Sequence, residues 1–369
     1  MIKINSKNSI ILALEHFNFF ESNYADKLKF FYEGEKEQSR KEFLRYLCEN
    51  KKEIIIGKPD TLEKIRRDLE VKHNVIYKQI VETTTSSLAR EKVKAIIKGK
   101  KPINRTEKKK YNSVTKEQEF KAKLESIFNY DLFPGNFTNA KGKWGAYTMA
   151  ERLSVFVCPY CNRHYTSTLR AVKIGKKVEQ GGTRPQFDHF LCKSKFPFFA
   201  LSFYNLIPSC SICNASLKSK REFTINEYVH PYIEGFDDNI LFTVKLKKDD
   251  TDKDYLKAWY SDSNHFDIKF NYVETADPSL IERAKRNVKV FRLDHLYNQH
   301  KDYVMEILVK AEMYSPDAID ALVKDFPKLF PQRDHVIRLI TNNYIHQDDL
   351  GKRVLAKLSR DISREYNIK

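Results

Sequence analysis

Two C-x-x-C pairs, Cys158/Cys161 and Cys210/Cys213, constrain this chain more than any other feature. Two turns that each present two thiolates meet the demand of Zn2+ for four soft ligands at the corners of a tetrahedron. Four sulfurs leave such an ion no open position, so it is expected to be structural. Its binding free energy, on the order of 10 kcal/mol in small zinc peptides, then becomes folding energy. The pairs lie further apart than the roughly 15–20 residues of a small zinc ribbon, which an inserted hairpin explains. The polar stretch between them is expected to be folded by the metal and not by a large core. Cys48 and Cys192 remain and read as ordinary thiols. This usage fits metal thiolates in a reducing compartment better than a disulfide framework.

Within this stretch stand an Asp-His dipeptide, Asp188-His189, and two asparagines, Asn205 and Asn214. A carboxylate, an imidazole and an amide brought together suffice to hold a hard divalent ion and activate a water. An imidazole deprotonates water near neutral pH, whereas a hydroxyl or amide does not. Mg2+ or Mn2+ suits the oxygen donors and leaves most of its positions to water and phosphate. Neighbouring residues on a strand point to opposite faces, so a bent connection has to let Asp188 and His189 reach one site.

The net charge of +17 points to a polyanionic partner, nucleic acid first and an acidic membrane surface second. With 41% hydrophobic and 31% charged residues, the chain supports a packed core rather than global disorder. No window is long and apolar enough for a membrane span, and the apolar run at 10–14 is too short for a signal peptide. A cytoplasmic protein is expected.

The 369 residues suggest two or three structural units. Residues 1–143 read as helical, with Asp60 as an N-cap and Glu63 three residues on. A basic stretch near 90–110 reads as a solvated helix end followed by a linker, with phosphate binding as its alternative. A helix is expected over 111–132, broken at Pro134-Gly135-Asn136, and a short one from Trp144. Strands over 165–174 and 185–190 are expected to pair across a basic turn containing Gly175, Gly181 and Gly182. Residues 239–369 read as a short β hairpin (239–246 with 266–273) followed by helices, including 335–344 and 348–366.

The run DHFLCKSKFPFFALSFYNLIPSCSICNASLKSK, with its flanking cysteine pair, resembles HNH (ββα-metal) nucleases of the HNN variety stabilised by four cysteines. The wording is similar to HNH proteins of bacterial anti-phage systems, including the nuclease subunit of Septu-type defence, and INEYVHPYIEGFDD resembles the segment downstream of the motif in those proteins. The likeness covers residues 144–238. It implies an α+β fold with mainly helical flanks around a central zinc-stabilised ββα-metal module, and an endonuclease acting on DNA ahead of RNA. His189 would be the general base. Asp188 and Asn214 would ligate the catalytic ion, and Asn205 would tie the loop backbone that holds the base. Cys192 departs from the Pro of related sequences. Family members in defence operons often work beside an ATPase, so partner docking through 1–140 and 278–369 is expected, with a self-contained DNA-gripping scaffold as its rival.

Lys193, Lys195, Lys218, Lys220 and Arg221 are candidates to hold phosphates, against the alternative of a solvated face. His164 and His230 read as structural, and Tyr160, Tyr165 and Phe203 as core. A zinc-stabilised nucleic-acid-binding or partner-binding protein without catalysis explains the charge and the cysteines equally well. It leaves Asp188, His189 and Asn214 unexplained.

Overall fold

The computed structural model describes residues 1–5, 8–100, 105–133, 144–174, 177–247 and 265–368. The expected break at 134–136, Gly175 of the turn, and most of the polar segment between the last two strands lie outside them. The fold is α+β and helix-rich, with three two-stranded antiparallel sheets among the described residues. No described helix is long and apolar enough to cross a membrane.

Apolar residues at helical spacing build most of the N-terminal part: α1 Ser9–Phe20, α2 Asp26–Gly34, α3 Gln38–Glu49, α4 Lys51–Ile56, α5 Pro59–Lys72, α6 Asn74–Glu82, α7 Ser87–Ile97 and α9 Lys116–Ile127; α8 Arg105–Asn112, almost wholly polar, stands where part of a linker was expected. The expected helix over 111–132 begins later, at Lys116, because Thr115 caps it through the Gln118 amide. The helix assigned to Asp60 starts on Pro59, whose ring suits a first helical position, so Lys58 and not Asp60 is the cap residue.

After α10 Ala146–Leu153, the chain makes the first cysteine turn and a small hairpin of β1 Val172–Ile174 and β2 Lys177–Gln180. The pairing expected of 165–174 with 185–190 is corrected. β3 Gln186–His189 pairs instead with β4 Leu206–Ser209, setting Asp188 opposite Ile207 and His189 opposite Leu206. Residues 165–174 meet the returning chain through the β1–β2 pairing and the Leu169–Thr183 bridge, and no described pairing joins them to 185–190. The reason is burial. β4 is buried along its whole length, which a four-residue strand achieves only with a buried partner, and Phe187, Asp188 and His189 provide it.

The stretch between the cysteine pairs is also not free of a core. Phe196, Phe198, Phe199, Leu201 and Phe203 are at most 1% exposed and pack into the N-terminal helical core. Cys158, Tyr160, Phe190 and Ile207 belong to a second core shared with the C-terminal elements. At about 25 cal/mol per Å2, such aromatic burial rivals a bound metal as a source of folding energy.

β5 Ile240–Leu246 pairs with β6 Phe266–Tyr272 as expected. Helices follow at Pro278–Val290, Lys301–Met313, Pro316–Asp325 and Arg333–Thr341. The last helix runs Ala356–Glu365 and not from 348. It reaches the first cysteine turn through Asn162, whose side chain bonds the Leu350 carbonyl and the Lys357 amide at 3.0 Å each. Asn162 adopts φ +51°, a left-handed conformation that asparagine tolerates better than most residues.

Candidate metal centre and active site

The sulfurs of Cys158, Cys161, Cys210 and Cys213 all lie within 4.8 Å of one another and are buried, an arrangement that can hold a metal ion such as zinc. The first turn is fixed from outside and the second by its own backbone. Tyr297 donates to the Cys161 carbonyl at 2.6 Å, and the Asn214 amide to the Cys210 carbonyl at 3.0 Å. Burial raises the Cys158 thiol well above its ordinary range, while hydrogen bonding from Cys158 pulls Cys210 below. Four thiols so crowded cannot all ionise without a cation, and a dication removes that conflict.

Asp188 is 2% exposed. Its Oδ2 accepts from the Tyr160 hydroxyl at 2.7 Å, and its Oδ1 from the Lys218 ammonium at 3.0 Å. Tyr160 stands inside the first C-x-x-C and Lys218 on the π-helix Ile212–Lys218 that carries Cys213, so both cysteine turns grip this carboxylate. Lys218 also donates to the His189 carbonyl at 2.6 Å. It is 1% exposed and therefore lies off the surface expected to meet phosphates.

His189, 8% exposed, places Nε2 3.0 Å from the Ala200 carbonyl. A carbonyl oxygen only accepts, so Nε2 carries the proton and Nδ1 keeps a lone pair. No described residue bonds Nδ1. Burial, followed by the Lys193 ammonium, pushes the imidazole pKa down to about 3, so the ring is neutral. A base that weak gains strength when an anion in the cavity offsets the lysine charge. The Tyr130 ring meets it edge-on at 4.5 Å between centroids.

Asn205 is 1% exposed and makes three hydrogen bonds to the loop between β3 and β4: it accepts from the Leu191 amide at 2.6 Å and donates to the Leu191 and Phe199 carbonyls. It thus braces the turn after His189. Asn214 donates from Nδ2 to Gln186 Oε1 at 2.9 Å, and its side-chain oxygen Oδ1 has no partner among the described residues.

Asp188, His189 and Asn214 line one cavity of about 420 Å3 together with Tyr130, Arg184, Gln186, Lys193 and Lys220. Lys193 pairs with Asp131 at 3.2 Å and sits 5.0 Å from the Tyr130 ring centre. Lys195 pairs with Glu222. Lys220 and Arg221 are exposed. Tyr160 and Phe203 are buried, as is His230; Tyr165, expected in the core, is 56% exposed. Tyr130 and Arg184 were not singled out by sequence, and Tyr160 was read only as core. Tyr160 was visible between its cysteines, whereas Tyr130 arrives from the helical part and leaves no local signal.

No protein-family model, curated protein or solved structure matches this chain. The chemistry of the site therefore rests on its own residues.

Proposed function

We propose that the chain is a metal-dependent endonuclease of the HNH kind, hydrolysing phosphodiester bonds of DNA ahead of RNA. The observation that carries this reading is the fixed tautomer of His189. With Nε2–H committed to Ala200, Nδ1 is the free base of a neutral imidazole in a cavity that also holds a carboxylate, an amide oxygen and basic side chains. His189 takes the proton of the attacking water. Asn205 keeps the loop after it in place.

The donor set fits a hard cation. A carboxylate has about four acceptor sites, and each oxygen of Asp188 has one partner; Asn214 keeps an amide oxygen in reserve. Asp188 and Asn214 would hold Mg2+ or Mn2+, which supplies charge neutralisation for the phosphate. Arg184, Lys193 and Lys220 add positive charge around the same cavity. The four-cysteine ion is the scaffold and takes no part in the reaction.

The resemblance further supports a role as nuclease effector in anti-phage defence, with an ATPase as partner subunit. The exposed apolar side chains Ile10, Ile11 and Leu14 on α1 suit such docking.

The test is incubation of purified protein with plasmid, single-stranded DNA and RNA in Mg2+, Mn2+ or EDTA, beside His189→Ala. Cleavage that needs the metal and disappears in the variant, with zinc content unchanged, is expected. Cleavage that survives His189→Ala overturns the assignment of the base. Binding without any cleavage favours the non-catalytic module.

A further inference from the structure

A second cavity, of about 360 Å3, opens beside the His189 cavity and shares Arg184 and Gln186 with it. Its wall differs in character from that of the His189 cavity. No carboxylate lines it, although Asp and Glu are abundant in the chain. It offers the hydroxyls of Ser167, Thr183 and Ser211, none of which has a side-chain partner among the described residues. Arg184 stands between the two cavities; its Nη1 donates to the Pro185 carbonyl at 2.7 Å, and a guanidinium has five N–H donors. His164 also lines this wall, and its Nε2 is sealed from solvent without a hydrogen-bond partner. At the rim, Tyr165 is 56% and Ile212 39% exposed.

Hydroxyls, one guanidinium and a bare aromatic face make a specific combination. Hydroxyl and guanidinium donors suit phosphate oxygens. An aromatic face stacks a nucleobase whatever its identity, provided that base has lost its neighbour. In a duplex the faces of the bases are covered, and a duplex backbone is gripped by many basic groups rather than one.

We propose that this cavity binds an unpaired stretch of nucleic acid, with Tyr165 as the stacking platform for a base and Arg184 as the phosphate contact leading to His189. Its placement next to a scissile phosphate rests on the nuclease reading above; the binding itself does not. The strand enters across the hydroxyl wall, passes Arg184 and reaches the D-H site. The substrate class is thus a single-stranded or locally opened polynucleotide rather than an intact duplex.

The test uses the full chain carrying His189→Ala, so that binding is read without cleavage. Fluorescence anisotropy compares a single-stranded DNA oligonucleotide, the same sequence as RNA, and its blunt duplex. The single strands are expected to bind at least ten-fold more tightly than the duplex. Adding Tyr165→Ala is expected to weaken single-strand binding about ten-fold, and Tyr165→Phe to restore it, since stacking needs the ring and not the hydroxyl. Arg184→Gln is expected to lower the slope of log affinity against log salt by about 0.7, one phosphate contact on a single strand. Phe326→Ala, an exposed aromatic remote in sequence, controls for nonspecific effects and is expected to change nothing. Zinc content and circular dichroism verify that each variant folds. Equal affinity for duplex and single strand, or single-strand binding within two-fold of the parent in both Tyr165→Ala and Arg184→Gln, overturns the proposal. Absence of cleavage by the His189-intact protein overturns the nuclease reading alone. DNA and RNA binding alike supports a shared backbone-and-stacking site, whereas loss of either arm assigns the sugar.

Discussion

The ammonium of Lys218 lies 3.0 Å from the carboxylate of Asp188 with both side chains nearly sealed from solvent. The same ammonium bonds the backbone carbonyl of His189. One cation from the helix after the second cysteine pair therefore sets both residues of the D-H dipeptide. Replacing Lys218 by Met leaves a buried carboxylate with only the Tyr160 hydroxyl, and breaking one side of such a pair costs about 3–5 kcal/mol. Lys218→Met is expected to lose stability on that scale in urea unfolding. Adding Asp188→Asn is expected to return much of it. Losses that simply add would show that the two residues are not coupled.

The thiolate cluster predicts one tightly held zinc per chain. Cys158→Ser or Cys213→Ser is expected to lose it in elemental analysis and to unfold at markedly lower temperature than the wild type. Strong chelators should do the same to the wild type. Because Tyr160 and Lys218 ride on these turns, zinc loss is also expected to abolish cleavage before global unfolding. Full zinc content in either serine variant would refute the shared site.

Asn205 holds the loop after His189 by three buried hydrogen bonds. Asn205→Ala strands the Leu191 amide and two carbonyls in the core. With about 1–3 kcal/mol per stranded group, a loss of at least 2 kcal/mol is expected. Asn205→Asp keeps the acceptor but sets a buried carboxylate against two carbonyl oxygens, and is expected to lose at least as much. Denaturant midpoints decide the order.

His16 gives the pH dependence a sign. Its Nε2 donates to the Leu201 carbonyl at 2.7 Å and its Nδ1 accepts from the Trp144 indole at 3.0 Å. Burial pushes its pKa from 6.5 down to about 4. Between these values the unfolded chain binds a proton that the folded chain refuses. The contribution is therefore whole above pH 6.5 and is lost as pH falls to 4, in total about 3 kcal/mol. His16→Gln is expected to be less stable at pH 7.5 yet to lose less on acidification to pH 4.5. Equal losses in the two proteins would contradict this.

The last helix buries an ion network in which Asp361 accepts from Lys357 at 2.7 Å, Arg360 at 2.8 Å and the Phe242 amide at 3.0 Å. Asp361→Ala leaves two buried cations short of a partner and is expected to destabilise by about 3–5 kcal/mol. The joint between this helix and β5 should loosen first, seen as faster hydrogen exchange at the Phe242 amide.

The cysteine spacing, the helical periodicity of residues 1–90 and the hairpin after 239 were legible because each is local: a ligand pair, a 3.6-residue repeat or a two-residue alternation is written in neighbouring residues. The candidate site was legible only as a set of residue types. Asp188, His189, Asn205 and Asn214 carry chemistry wherever they fall. Their partners Tyr160, Lys218, Ala200 and Tyr130 come from separate elements and were decided by packing. So was the pairing of β3: residues 165–174 looked equally strand-like, and only the two cores meeting around Leu206–Ser209 selected β4. The fates of Lys218 and Tyr165 make the same point in opposite directions. A lysine in a basic run looks like surface, and a tyrosine beside a cysteine turn looks like core. Burial is a property of what the rest of the chain covers, and no local pattern of residues contains it.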